Sequence, residues 1–166
     1  SAHRPATADT SYLWFSMTKI VTATAVMQLA ESGALSLDDP VEGFLPEFPR
    51  PRSGWPTVRV RHLLSHSAGL ANPMPVRWVH PAGEEGRESR GFAIELLTRN
   101  DRLRFPAGSK AAYSNLGYIV LGEVIATASG QGYEDFVRAR ILEPLSMTAS
   151  GFSYASSSED DVATGY

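Results

Sequence analysis

Apolar and small residues recur through 16–32, at Ile20, Ala23, Val26, Met27 and Ala30, and the run meets Gly33. This spacing predicts a helix that stops at the glycine. Apolar or small groups fall nearly all round it, which predicts burial on several sides. Residues 58–65 read as a short helix with Thr57 as its cap. Longer helical patterns cover 89–99, 115–129 and 133–142, the last two divided by Ser129-Gly130-Gln131-Gly132. Val58 and Val60 alternate with charged residues, but the run is too short for a strand. The chain therefore reads as mostly α.

The intervening segments are polar or rich in turn residues. Residues 1–11 read as a loose end and 40–56 as a proline-rich wrapping loop. Residues 71–91 hold three prolines, three glycines and several charges, which predicts an exposed connection beside a cleft. The tail from 150 is serine-rich and acidic, and reads as poorly ordered. No internal repeat is visible.

Composition narrows the function classes. The 166 residues are 43% apolar and 20% charged, which suits one globular domain spanning 1–166. A net charge of −3 gives no nucleic-acid footprint and no polybasic membrane patch. The absence of cysteine excludes disulfides, thiol catalysis and zinc-thiolate sites. No apolar run approaches a membrane span, and no signal peptide is visible.

Chemistry enters at Ser16-Met17-Thr18-Lys19. A serine and a lysine three apart at a helix start share one side of the first turn. A serine hydroxyl becomes a nucleophile when a neighbouring base takes its proton, and an amine is such a base when its surroundings disfavour the ammonium. The positive potential of a helix N-terminus works in that direction. Only two lysines exist, Lys19 and Lys110, and only Lys19 has a serine three before it. The bland reading is a capping serine followed by a solvated lysine. Tyr113-Ser114-Asn115 opens the helical run from Leu116 and offers a phenol that can shuttle a proton and an amide that can hold a lysine or a carbonyl. The bland reading there is a buried tyrosine and an asparagine cap.

Other candidates are weaker. His62 and His66 sit four apart, a metal-ligand spacing without an obvious third ligand. Structural packing is the simpler role for them. Ser65-His66-Ser67-Ala68-Gly69 has the outline of an α/β-hydrolase elbow with Ser67 as nucleophile, but Pro73 follows closely where a helix is required. Glu84, Glu85 and Glu88, beside Arg87, could pair as acids but read as a solvated charge run. Trp14, Trp55, Trp78 and Tyr12 could line a cleft, or simply pack. No phosphate-binding glycine pattern is present.

Taken in order, several segments resemble the serine β-lactamase and penicillin-binding-protein superfamily. The branch is that of class C β-lactamases, D-alanyl-D-alanine carboxypeptidases and related esterases. Asp9-Thr10 and Phe15-Ser16-Met17-Thr18-Lys19-Ile20 are similar to the approach to the nucleophile. Asp38-Asp39-Pro40-Val41 and Leu45-Pro46 resemble the segment after its helix. Val60-Arg61-His62-Leu63-Leu64-Ser65-His66-Ser67-Ala68-Gly69-Leu70 resembles the leucine-leucine-x-histidine-threonine-serine-glycine stretch. Tyr113-Ser114-Asn115 matches the second motif, and Pro144-Leu145-Ser146-Met147 resembles proline-leucine-glycine-methionine, with Ser146 in the glycine position.

The resemblance implies the helical region of an α/β fold whose antiparallel sheet is largely missing from these residues, so that apolar helix faces would stand exposed. The third family motif, a lysine or histidine before a small residue and glycine, has no counterpart. Neither His66-Ser67-Ala68-Gly69 nor 80–83 has the right place. The chain reads as part of a longer domain, with the remainder of that domain as a partner. The implied activity is a serine hydrolase. Ser16 is the nucleophile, with its N–H in the oxyanion hole; Lys19 and Tyr113 move protons, Asn115 orients Lys19 or binds the substrate amide, and no cofactor or metal is required. Esters, β-lactams and D-alanyl peptides are the implied substrates, and the lack of a third motif leans toward esters. A non-catalytic binding role is the alternative.

Overall fold

The computed structural model describes residues 5, 7, 10, 12–73 and 89–152. The readings of Asp9, Trp78, 80–83, Glu84, Glu85, Arg87, Glu88 and the tail from 153 lie outside them. Five α-helices are described: α1 (Thr18–Glu31), α2 (Val60–Leu64), α3 (Ser89–Arg99), α4 (Asn115–Ser129) and α5 (Tyr133–Val137). A 3-10 turn at Phe15–Met17 leads into α1, another spans Val41–Gly43, and a π turn at Arg138–Leu142 continues α5. Among the described residues there is no strand, and Pro40 and Arg59 form an isolated antiparallel bridge. The mostly helical reading of the sequence therefore holds.

The hub is α4. Leu116, Val120, Leu121, Val124 and Ile125 are fully buried, and α1, α2, α3 and α5 all pack against this helix. Two glycines let neighbours approach: Gly117 faces Leu63 of α2, and Gly122 faces the Tyr133 ring of α5. Val26 and Leu29 of α1, Leu97 of α3, and Phe136 and Val137 of α5 complete one core. Truncating one such buried leucine to alanine typically costs about 2–5 kcal/mol.

Local chemistry sets the boundaries. Gly33, with φ +75°, ends α1 in a Schellman turn, its N–H donating to Ala30 and that of Ala34 to Leu29. Helix α2 starts later than the sequence suggests. Its N-cap is Arg59, not Thr57, and the Arg59 N–H donates to His62 Nδ1 at 3.0 Å. Ser114, not Asn115, caps α4, its hydroxyl accepting the Gly117 N–H. Asn115 is thereby left free for other work. The expected helix over 133–142 is one continuous coil that widens into the π turn.

Three further expectations need correcting. Helix α1 buries one face, at Thr22, Ala25, Val26 and Leu29, while Ile20 and Met27 are exposed. That face packs against α4, α5 and the π turn. Tyr12, Leu13, Trp14, Phe15 and Met17 are exposed alongside Ile20, giving an apolar surface beside Ser16. The segment after Leu70 is not uniformly exposed, since Ala71 is buried. Trp55 packs on the core with Arg52 over its ring, and Phe152 meets Tyr133 edge-on, so order extends past residue 150.

Backbone strain sits at a few positions. Gly69 has φ +81°, and a Cβ there would fall on the Phe105 carbonyl oxygen. Ser146 occupies φ +55°, which accounts for glycine being the usual residue at that position in the resembling motif. We expect Gly33→Ala, which meets open space, to cost about 1 kcal/mol from φ alone. Gly69→Ala should cost more than about 2 kcal/mol, because backbone must also move. Ser146→Gly should stabilise by up to about 1 kcal/mol. Urea unfolding midpoints read all three; equal losses at Gly33 and Gly69 would contradict the close approach.

Candidate active site

Ser16 lies in the 3-10 turn before α1, and Lys19 is in the first turn of α1 itself. The preceding residue, Phe15, has φ +45°, a conformation that a bulky side chain rarely adopts. Tyr113 ends the segment before α4, and Asn115 opens that helix. Ser16 and Tyr113 are exposed, while Lys19 and Asn115 are half-buried.

The four side chains converge. Ser16 Oγ lies 2.9 Å from the Tyr113 hydroxyl, and Lys19 Nζ donates to Ser16 Oγ at 3.2 Å. Lys19 also donates to Asn115 Oδ1 at 2.7 Å, and the Tyr113 hydroxyl donates to the same oxygen at 3.1 Å. A phenol has one proton. While that proton points at Asn115, Ser16 must supply the proton of the Ser16–Tyr113 bond. The serine proton thus already faces the phenol oxygen.

Electrostatics favours that direction. The Lys19 hydrogen bond, then the Ser16 hydroxyl, hold the Tyr113 phenol below its ordinary value, against a smaller opposing effect of burial. Lys19 Nζ also stands 5.0 Å from the Tyr113 ring centre and 5.6 Å from that of Tyr118. Burial raises Tyr118, and the neighbouring Tyr113 adds to this, so the two phenols are driven apart. Titratable groups pushed in opposite directions are a mark of acid–base sites.

A second layer braces the tyrosine. The Ser114 hydroxyl donates to the Ala71 carbonyl, and Asn72 Oδ1 accepts the Asn115 N–H at 3.0 Å. His66 Nδ1 accepts the Ser114 N–H, and Tyr118 donates to the Leu64 carbonyl. Sequence reasoning did not single out Asn72, Ser114 or Tyr118 for this work. Their partners lie 43 to 54 residues away, and no local pattern announces the pairing.

The remaining candidates do not join the site. His62 and His66 do not share a helix face, because α2 ends at Leu64 and His66 has φ +56°. Each has its Nδ1 bonded to a backbone N–H, and no metal-binding cluster exists among the described residues. Ser67 Oγ pairs with Ser65 Oγ at 2.8 Å, no strand leads to it, and 68–73 is not helical. Trp14 and Tyr12 lie exposed near the nucleophile turn. No described helix is long and apolar enough to cross a membrane.

Known proteins resemble this chain in sequence and in fold. The family model described as Beta-lactamase matches residues 1–166. Esterase EstB of Burkholderia gladioli is 37% identical over 166 residues, covering 91% of this chain and 41% of that protein. The structure of an octameric penicillin-binding protein homologue from Pyrococcus abyssi superposes with a TM-score of 0.70 at 36% identity, over 91% of this chain and 35% of that one. A beta-lactamase/D-alanine carboxypeptidase from Yersinia pestis gives 0.70 at 26% identity, over 89% and 42%. The chain thus spans less than half the length of these relatives.

The lowered phenol is directly measurable. In an ultraviolet titration, one tyrosine should ionise below the ordinary value near 10. Tyr113→Phe should remove that step, and Lys19→Met should move it upward, since Lys19 is the main cause. A low step that survives Tyr113→Phe would place the perturbed phenol elsewhere.

Proposed function

Since the chain belongs to the beta-lactamase family, we propose that it carries the nucleophile and proton-transfer groups of a serine hydrolase that works through an acyl-enzyme on Ser16. The observation that carries this reading is the closed hydrogen-bond set of Ser16, Lys19, Tyr113 and Asn115, drawn from two helix starts.

Ser16 Oγ attacks the substrate carbonyl carbon as its proton passes to the Tyr113–Lys19 pair. The carbonyl π pair moves onto oxygen, which the Ser16 backbone N–H helps to hold. Removing one such donor typically costs about 2.7–4 kcal/mol of transition-state stabilisation. Collapse of the tetrahedral adduct breaks the bond to the leaving group, which departs with the proton from the pair. The acyl group remains on Ser16. Water then gives a proton to Tyr113, adds to the acyl carbon and releases the acid, and Ser16 regains its proton. Protons in this pair are shared, so neither residue alone is the base. Asn115 holds Lys19 Nζ against Ser16 throughout. Every step is proton transfer and acyl exchange, which these four side chains supply.

Esters are the substrate class we favour, given the 37% identity to a protein named as an esterase. β-Lactams and D-alanyl amides follow from the same chemistry. The apolar side chains exposed around Ser16 suit packing by the rest of a longer domain.

Incubation with a fluorophosphonate, and separately with a penicillin, tests this by intact mass and peptide mapping. One adduct on Ser16 is expected, absent in Ser16→Ala. Lys19→Met and Tyr113→Phe should slow labelling by roughly 10²–10⁴-fold. A stable penicilloyl adduct indicates a peptidase, a transient one a lactamase, and turnover of a nitrophenyl ester an esterase. Labelling at Ser67 contradicts the reading and points to an α/β-hydrolase-type nucleophile there; labelling at no serine contradicts it and leaves a binding role.

A further inference from the structure

His66 has a set of contacts that simple packing does not require. Its carbonyl accepts the Ala112 N–H at 2.8 Å, and its Nδ1 accepts the Ser114 N–H at 3.2 Å. These donors flank Tyr113 on both sides. The imidazole centroid lies 4.6 Å from that of Tyr113 and 5.1 Å from that of Tyr118. One residue therefore fixes the backbone before and after the phenol and seats the phenol ring. Backbone at φ +56° lets the carbonyl and the ring of His66 reach the same segment.

We propose that His66 is a positioning residue for the reaction at Ser16: its neutral imidazole, wedged between Tyr113 and Tyr118 and accepting the Ser114 N–H, holds the Tyr113 hydroxyl on Ser16, and protonation releases it. This rests on the reading of Ser16 as nucleophile. A nitrogen that accepts an N–H cannot also carry a proton, so the bond exists only in the neutral tautomer with hydrogen on Nε2. A proton on Nδ1 would set two N–H groups against each other. It would also place a second cation beside Lys19, which already lies over both tyrosine rings.

The groups facing His66 make this a switch on the acid side. Lys19 comes from α1, Tyr113 from the segment before α4 and Tyr118 from α4. Burial, then the Lys19 charge, hold the imidazole below its ordinary value, and the Ser114 N–H, which bonds only the neutral ring, acts in the same direction. At neutral pH the ring is uncharged and Tyr113 is held. As pH falls below 6.5 the ring gains its proton and Tyr113 is freed, so Ser16 loses reactivity.

The test is the pH profile of fluorophosphonate labelling of Ser16 in the full gene product, read for wild type, His66→Asn and His66→Phe. Asparagine keeps an acceptor near Nδ1 but cannot titrate. Phenylalanine keeps the ring but has no acceptor. Wild type should show an acid limb with a midpoint below 6.5, matching the His66 imidazole titration by NMR. His66→Asn should move that limb to lower pH, and His66→Phe should slow labelling roughly ten- to a hundredfold at neutral pH. An acid limb unmoved by His66→Asn, or a midpoint that differs from the NMR titration, overturns the proposal. A second readout needs no catalysis: His66→Phe should move the low phenol ionisation of Tyr113 upward in the ultraviolet titration. If wild type fails to label at any pH, the Ser16 reading falls, while the tyrosine shift still decides whether His66 positions Tyr113.

Discussion

Lys19 and Asn115 are 96 residues apart in sequence and 2.7 Å apart in space, and the arrangement at Ser16 depends on that contact. It spans the junction of α1 and α4, the two helices at the heart of the core. The apolar packing of Val26 and Leu29 against the buried face of α4 brings the helices together. That packing has no direction of its own. The hydrogen bond at the helix starts supplies direction, since Asn115 Oδ1 accepts from both Lys19 and Tyr113. One amide oxygen thus fixes an amine and a phenol on either side of a serine hydroxyl.

The same site is paid for in backbone strain. Phe15, immediately before the nucleophile, and His66, beneath Tyr113, both hold positive φ without being glycine. Such residues persist where surrounding contacts over-determine them, and they gather at functional sites. Here the over-determination is visible. The Met17 N–H donates to the Trp14 carbonyl across Phe15, and His66 is tied to Ala112 and Ser114. Gly69 adds a tight backbone approach to Phe105, which holds the loop from 66 to 72 near the segment before α4. Asn72, in that loop, then reaches the Asn115 N–H.

Charge at the site is arranged rather than abundant. The ion pairs among described residues, such as Arg99–Glu95 and Arg90–Glu47, lie on the surface and add little to stability. Lys19 is different. It donates to two oxygens and stands over two aromatic rings, so a single cation acts on Ser16, Tyr113, Tyr118 and His66 together. It pulls Tyr113 down, while burial and the neighbouring Tyr113 raise Tyr118.

Much of this was legible in the residues. The period of apolar positions located α3 and α4 at their observed bounds, because side-chain spacing on a helix is a local property. Ser16 and Lys19 were legible for the same reason, being three apart at one helix start. Tyr113 and Asn115 were legible as chemistry and as a motif order, although not as neighbours of Ser16 by any spacing rule. The cap at Thr57 was misread, since a cap depends on which backbone group turns toward which side chain. The one-sided burial of α1 was not legible, because a helix apolar nearly all round does not say which faces find neighbours. Only the tertiary structure decided that Ser114 caps α4, and that His66 reaches both flanks of Tyr113. The His66 contacts join residues tens of positions apart, through packing that local periodicity does not encode.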